Sequence, residues 1–320
     1  MNRKFIKRLF ISIPLLLGIS LISFSIMHLA PGDPTTMFTN PSISMEDMAQ
    51  VRSNLGLDKP ILFQYFYWLV NLLKGNFGYS FMSGKPVLTL ILERLPATLL
   101  LSISSLFCIL CITFPLGLIS GAKKNSAFDH WVTILSFIGL SIPAFWLGLV
   151  LILFFSLNLN WFPTSGFLDP SLIDATISIK SLNILYHLIL PLLTIIIGGI
   201  AGLTRYHRFG IIQILNQDYI KAARARGISE KRLLFKHALK NALLPIITIL
   251  GLDLPALISG SFIIEYIFAW PGMGQLGIAA VFARDYPVLM GTIVFSSILI
   301  IIGNLLADLA YTFVDPRIKK

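Results

Sequence analysis

The chain has 320 residues, of which 56% are hydrophobic and only 12% are charged, and its mean hydropathy is +0.82. A single core in a water-soluble domain of this length cannot bury so much apolar surface, so the composition excludes that class and indicates that lipid is the solvent. The net charge of +10 does not indicate nucleic-acid binding, because the basic residues are distributed by membrane side, as shown below.

Long apolar runs predict an all-α membrane protein with about six transmembrane helices. Five runs approach or exceed the roughly 20 residues that a spanning helix needs, at about residues 9–30, 95–121, 131–157, 243–267 and 288–312. A sixth, at about 188–203, is shorter and contains Pro191, which membrane helices tolerate. The first run is interpreted as an uncleaved span rather than a secretory signal peptide, because no small-x-small cleavage signature precedes Pro31.

Two further features carry predictions. Residues 61–73 are apolar, rich in aromatic residues and too short to span, so we expect a helix lying in the membrane interface. Cys108 and Cys111 are spaced like a redox pair but lie inside the second predicted span, where core packing is the better interpretation.

The positions of Lys and Arg predict the orientation of the chain. If the N-terminus is cytoplasmic and each span reverses direction, 18 of the 25 Lys and Arg fall on the inside. This asymmetry follows the positive-inside rule and predicts that both termini face the cytoplasm. The chain then divides into a cytoplasmic tail with the first span (1–30), a periplasmic segment (31–94) and a five-helix core (95–320).

The predicted inside segment at 204–242 contains nine basic residues at helical spacing among Ala and Leu, and we expect two short cytoplasmic helices there. Asp218 is the predicted cap of the first, Gly227 its left-handed terminator, and Ser229 the predicted cap of the second. Small residues on the first helix suit close approach by another protein. A loop lying on anionic headgroups would explain the basic residues equally well, and the residues alone leave both interpretations open.

Three acidic residues lie in or near predicted spans. Asp253 is near the middle of the fifth span, where a carboxylate either lines the transport pathway or pairs with a neighbouring helix. Glu265 and Asp308 lie nearer span ends, and a structural or interfacial role is the better interpretation for them. No convergent set of residues suggests a metal site.

Several motifs together resemble the permeases of ATP-binding cassette (ABC) importers for dipeptides, oligopeptides and nickel. The first is Asp218-Tyr-Ile-Lys-Ala-Ala-Arg-Ala-Arg-Gly227, which resembles the cytoplasmic Glu-Ala-Ala-x-x-x-Gly loop of that family. The others occur in order along nearly the whole chain: Ala30-Pro-Gly-Asp-Pro34, Leu55-Gly-Leu-Asp-Lys-Pro60, Gly75-Asn-Phe-Gly-Tyr-Ser80, Ile142-Pro-Ala-Phe-Trp-Leu-Gly148, Trp161-Phe-Pro163, Glu265 with Trp270-Pro-Gly-Met-Gly274, and Asp308-Leu-Ala-Tyr-Thr-Phe-Val-Asp-Pro-Arg317.

This resemblance implies a type I importer bundle in which a cytoplasmic coupling helix docks onto a separate ATPase subunit. The residues that it assigns to the coupling loop are Lys221, Ala222, Ala223, Arg224, Gly227, His237 and Leu239. Lys221 replaces the Glu of the family loop, so the docking role carries over to Ala222, Ala223 and Gly227 without a carboxylate contact.

The implied partners are a homologous second permease, two ATP-binding subunits, a periplasmic or lipid-anchored substrate-binding protein and membrane lipid. ATP and Mg²⁺ would bind the ATPases and not this chain, whose nearest match to a phosphate loop, 78–85, has the wrong spacing and is followed by Pro86.

Peptide import across the bacterial inner membrane is the function that the resemblance implies, and import of nickel or another small solute is the alternative. An ion-coupled secondary transporter is expected to show internal repeats and several intramembrane acids, which are not evident here. A membrane enzyme would need a paired catalytic constellation on one helix, and the sequence offers none.

Overall fold

In the computed structural model, residues 2–29, 59–239, 241–242 and 262–314 are described, and they are predominantly helical. Among these residues there is one isolated β-bridge, which pairs Tyr79 with Pro86 in antiparallel orientation. The helices in chain order are α1 (Asn2–Leu29), α2 (Ile61–Leu73), α3 (Val87–Ala122), α4 (Ala127–Ser141), α5 (Ala144–Leu151, continued by a π-helix at Ile152–Asn158), α6 (Ile177–Leu215), α7 (Asp218–Ala225), α8 (Glu230–Arg232, continued by a π-helix at Leu233–Ala238), α9 (Phe262–Ile267), α10 (Met273–Phe282) and α11 (Tyr286–Val314).

The long helices match most of the predicted spans. Helices α3 and α6 and the stretch Tyr286–Leu305 of α11 are each long and apolar enough to cross a membrane. Helix α1 has 28 residues and therefore exceeds the length that a span needs. Most of the predicted span at 243–267 lies outside the described residues.

The predicted span at 131–157 is broken into two helices. Helices α4 and α5 meet at an angle of 97°, and Ile142 between them has extended backbone, with φ −86° and ψ 121°. Pro143 explains the break, because proline disfavours helical backbone in the residue before it and cannot donate a backbone hydrogen bond. The expectation of one continuous helix here was wrong.

Helices α3 and α6 pack closely and run in the same direction. A Cβ atom on Gly117 would lie 2.7 Å from the Cβ of His207, and one on Gly121 would lie 2.7 Å from the Cβ of Ile211. Gly199 of α6 packs against Ile109 of α3 in the same register. Small residues allow membrane helices to approach in this way and to gain van der Waals contact.

This parallel arrangement requires that the chain between α3 and α6 cross back to the other end of the bundle. The α4–α5 pair makes that crossing, because its contacts run antiparallel along α6. Asp129 pairs with Arg208, Gly139 faces Ala201, and Gly148 faces Thr194. The contacts therefore make α4–α5 one broken span.

Helix α6 is longer at both ends than the apolar run at 188–203. It spans 39 residues, or about 58 Å at 1.5 Å per residue, so it exceeds a hydrocarbon core of about 30 Å. Its first turns contain Lys180, Asn183 and His187, whose polarity hid the helix from the hydropathy pattern.

One shorter helix, α2, is attached to a long helix. Helix α2 forms where the interfacial helix was predicted and packs on α1, with the Tyr65 hydroxyl 2.9 Å from that of Ser20. Its position in the interface stays a prediction.

Cys108 packs in the α3–α6 core, as expected, whereas Cys111 is exposed, and both thiols are free.

The close α3–α6 contact yields a stability prediction. Gly121→Ala should destabilise the protein by about 1–3 kcal/mol, the usual cost of overpacking, because the new methyl group would also lie 2.9 Å from the Arg208 carbonyl oxygen. Gly198→Ala is the matched control on α6, since a Cβ there meets nothing within 4 Å. Thermal unfolding in one detergent should show a lower melting temperature for Gly121→Ala alone. Equal melting temperatures for the two variants would contradict the close packing.

Candidate coupling site

The first short helix after α6 is α7, and it begins one residue earlier than its predicted cap implies. Gln217 occupies the cap position, and its side chain makes no capping hydrogen bond. Asp218, predicted as the cap, is the first helical residue instead, and its carboxylate pairs with the Lys221 ammonium at 3.0 Å. An acid in the first turn of a helix is favourable because it faces the positive end of the helix dipole.

Gly227 ends this helix in the predicted left-handed conformation, with φ +79°. The Gly227 N–H donates to the Arg224 carbonyl at 3.0 Å, and the Ile228 N–H donates to the Ala223 carbonyl at 3.3 Å. A residue with a Cβ is strained at this φ, which explains the glycine. Ser229 stands at the cap position of α8 as predicted, although its hydroxyl makes no capping hydrogen bond.

An ion pair connects α7 to α8 across this turn. The Arg224 guanidinium donates two hydrogen bonds to the Glu230 carboxylate, one of them from Nη2 to Oε2 at 3.1 Å. These bonds lower the pKa of the Glu230 carboxyl below its ordinary value. Both side chains are exposed, so the pair contributes little to global stability, but its two-pronged geometry orients α7 relative to α8.

Apolar contacts hold the loop onto the long helices. Ile220 of α7 is fully buried, and the Asn241 amide donates to the Tyr219 hydroxyl at 2.9 Å. Leu239 packs against a core cluster that includes Leu118 of α3 and Ile211 of α6. Leu239 therefore supports the loop from within the protein.

The remaining predicted loop residues lie on the outer face of α7 or just after it. Lys221, Ala222, Arg224 and Gly227 are exposed, and Ala223 is half-buried. Ala222 and Ala223 give the outer face of this buried-side-anchored helix a patch of small side chains, and Lys221 and Arg224 lie beside that patch. Such a patch can dock closely against another protein, because alanine side chains lose no rotamer freedom on contact.

The two other predicted site residues cannot be placed in this geometry. His237 belongs to the π-helix after α8, but its side chain lies outside the described part of the chain. Asp253, the predicted pathway residue, also lies outside the described residues. Its assignment to the pathway stays a prediction.

Glu265 has a structural role, as the sequence indicated. Its carboxylate is fully buried and accepts hydrogen bonds from the Thr98 hydroxyl at 2.8 Å and from the Gly274 N–H at 2.6 Å. The Met273 N–H donates to the Thr98 oxygen at 2.7 Å. Together Glu265 and Thr98 satisfy the first N–H groups of α10, which have no partner within their own helix.

Two buried carboxylates were missed by sequence reasoning. Asp285 accepts hydrogen bonds from the Ser80 hydroxyl and from the Phe81 N–H, which fixes the loop before α3. Asp129 accepts two hydrogen bonds from the Arg208 guanidinium, one of them from Nη2 at 2.8 Å. Arg208 was assigned to the cytoplasmic loop, but it belongs to α6. The Ser126-x-x-Asp129 spacing indicates a helix cap. The pairing of Asp129 with Arg208 cannot be recognised in the local sequence, because the two residues are 79 positions apart.

The described side chains include no group of three or more His, Cys, Asp and Glu residues that could hold a metal ion. The buried carboxylates of the described residues, Asp129, Glu265 and Asp285, accept hydrogen bonds from neighbouring segments.

The Glu265–Thr98 link gives a second prediction. Thr98→Val preserves shape but leaves the Met273 N–H and one Glu265 oxygen without the hydroxyl, so it should cost about 1–3 kcal/mol of stability. Thr89→Val, at an exposed position of the same helix, is the control. Thermal unfolding of the two purified variants measures the difference, and an unchanged melting temperature in Thr98→Val would contradict the structural role.

Sequence comparisons agree with this fold. The family model described as "Binding-protein-dependent transport system inner membrane component" matches residues 113–320, and the N-terminal model of the same system matches residues 1–102. The oligopeptide transport system permease protein AppB of Bacillus subtilis is 48% identical over 322 residues, covering 98% of each chain. The dipeptide transport system permease protein DppB of Escherichia coli is 37% identical, again covering 98% of each chain.

A solved structure confirms the type I importer bundle. A chain of the MetNI methionine ABC transporter, in an inward-facing conformation, matches with a TM-score of 0.57 and 19% identity, over 71% of this chain and 97% of that one. At this identity the likeness concerns the fold alone. The family matches and the apolar helices make this a multi-pass inner-membrane protein. The chain belongs to the family of inner-membrane components of binding-protein-dependent transport systems.

Proposed function

We propose that this chain is one permease subunit of an ATP-driven importer that translocates di- or oligopeptides across the inner membrane, and that α7 is its coupling helix. The observation that carries the proposal is the geometry of α7. Its outer face exposes Lys221, Ala222, Arg224 and Gly227, while Ile220 is buried beneath it. A docking surface on a firmly attached helix is what transmission of a mechanical stroke requires.

The peptide cargo is proposed from the relatives. The names of the B. subtilis and E. coli proteins specify oligopeptide and dipeptide transport, and their similarity extends over nearly the entire chain. This similarity favours peptides over nickel or another small solute.

ATP hydrolysis is assigned to two separate subunits that bind ATP and Mg²⁺, and this chain is not itself an enzyme. The complete importer would also contain a homologous second permease and an extracytoplasmic substrate-binding protein. The exposed apolar side chains of the long helices, such as Trp131, Leu135 and Phe154, supply surface for lipid and for the second permease. The excess of Lys and Arg on one predicted side supports a cytoplasmic position for both termini and for α7.

In this mechanism, nucleotide binding favours one arrangement of the ATPase pair, and α7 follows the ATPase against which it is docked. Only interactions that differ between the inward-open and outward-open states can drive the switch. The docked surface must therefore move without deforming. The Arg224–Glu230 pair and the buried Ile220 favour such rigid movement.

The proposal predicts that Ala223→Glu abolishes transport, because a bulky acid in the small-residue surface prevents docking. Ala127→Glu is the matched control, since it introduces the same acid at the exposed start of α4, on the same side of the membrane. Peptide uptake and peptide-stimulated ATP hydrolysis should be measured in liposomes that contain this chain, the sister permease, both ATPases and the binding protein.

We expect loss of at least 90% of peptide uptake for Ala223→Glu and normal uptake for Ala127→Glu, with equal amounts of both variants inserted in the membrane. Normal uptake by Ala223→Glu would refute the coupling role of α7. Uptake of nickel but not of peptides by the unmodified complex would refute the peptide assignment while leaving the coupling role intact.

A further inference from the structure

The ion pair between Asp129 of α4 and Arg208 of α6 differs from the other ion pairs of the described residues because its carboxylate is buried. The Asp129 side chain is 3% exposed and the Arg208 side chain 25%, whereas the Lys85–Glu93, Lys221–Asp218 and Arg224–Glu230 pairs join exposed side chains. Burying a carboxylate is costly unless several hydrogen bonds compensate it. Stability alone does not explain such a pair, because apolar residues of similar volume often stabilise a protein as well.

The hydrogen bonds of Asp129 join three parts of the chain. The Arg208 guanidinium donates two of them, the Ser120 hydroxyl at the end of α3 donates another, and the Asn125 N–H donates one at 2.9 Å. Asn125 is in the left-handed region, with φ +65°, in the turn between α3 and α4. One carboxylate therefore fixes α6 against both the end of α3 and the beginning of α4.

The geometry of the pair restricts relative motion. A planar guanidinium that donates two parallel hydrogen bonds fixes both the distance and the orientation of the carboxylate, which a lysine ammonium does not. Immediately beside the pair, Gly121 packs against Ile211 and the Arg208 carbonyl oxygen. The start of α4 therefore follows any displacement of this part of α6.

The position of Arg208 along the chain gives this connection a direction. Arg208 lies about two turns before the end of α6 at Leu215, and only Asn216 and Gln217 separate α6 from α7. On the other side, Asp129 lies in the first turn of α4, which leads into the break at Pro143 and then into α5. A displacement of α7 can therefore reach the broken span through this pair.

We propose that Arg208 and Asp129 are positioning residues that pass the movement of α7 to the broken span α4–α5. This inference rests on the proposed coupling role of α7. It goes beyond that role because it names the joint by which a cytoplasmic movement changes the arrangement of the membrane helices.

Arg208→Lys tests the joint because it keeps the charge but loses the two-pronged geometry. Arg205→Lys is the matched control, since Arg205 is an exposed residue of the same helix and contacts α4 through the Phe137 ring, 4.4 Å away, rather than through a carboxylate. The quantity to measure is the number of substrate molecules taken up per ATP hydrolysed in liposomes containing the complete importer.

We expect Arg208→Lys to lower this ratio at least threefold and Arg205→Lys to leave it unchanged. A purely structural role would reduce the amount of active complex, so that uptake and hydrolysis would fall together. An unchanged ratio for Arg208→Lys would therefore overturn the proposal.

A second measurement does not depend on the identity of the cargo. Spin labels at the exposed residues Leu135 of α4 and Ile302 of α11 report the nucleotide-driven displacement of the broken span in the assembled complex. We expect a change in distance on ATP binding in the unmodified complex and less than half of that change in Arg208→Lys. The same change in both, or none in the unmodified complex, would overturn the inference. Lack of peptide uptake by the unmodified complex would instead refute only the proposed cargo.

Discussion

The close packing of α3 against α6 is the constraint on which the rest of the described structure depends. Gly117 and Gly121 bring the two helices together in parallel, so the intervening chain must return through α4 and α5. Without a hydrophobic driving force between helices in lipid, such association depends on van der Waals contact between closely fitting surfaces. The Arg208–Asp129 pair then fixes the start of the returning segment to the same two helices. The core of the bundle and the end that leads into α7 are thus one connected unit.

The loop that contains α7 and α8 is attached to this unit. Helix α7 follows α6 after two residues, and Leu239 packs into the cluster formed around Leu118 and Ile211. Toward the other end of the bundle, Glu265 accepts from the Gly274 N–H in the first turn of α10, and Asp285 accepts from the Phe81 N–H in the loop before α3. The polar residues of the described core thus act mainly as fasteners between helices. In the proposed mechanism, these fastened helices move as a group between two packed states.

The parts that could be predicted from the sequence are those with a local signal. Apolar length located α1, α3 and α11, and Gly227 located the end of α7 because a left-handed terminator needs a residue without Cβ. Asp129–Arg208 and Thr98–Glu265 join residues that are 79 and 167 positions apart, so no pattern along the chain could pair them. Pro143 is a local signal for a break, although the prediction treated residues 131–157 as one helix, and the 97° angle depends on packing of α4–α5 along α6. The loop residues themselves were identified through the family resemblance, and their docking role still rests on it.

The central claim is that ATP hydrolysis on separate subunits drives import through this chain. The most direct measurement is uptake of a labelled peptide into liposomes that contain the purified complex of both permeases, both ATPases and the binding protein. The account predicts uptake that requires ATP on the ATPase side and the binding protein on the other, and that persists when ionophores collapse all ion gradients. Uptake that follows an imposed ion gradient in the absence of ATP would contradict the account and would favour a secondary transporter.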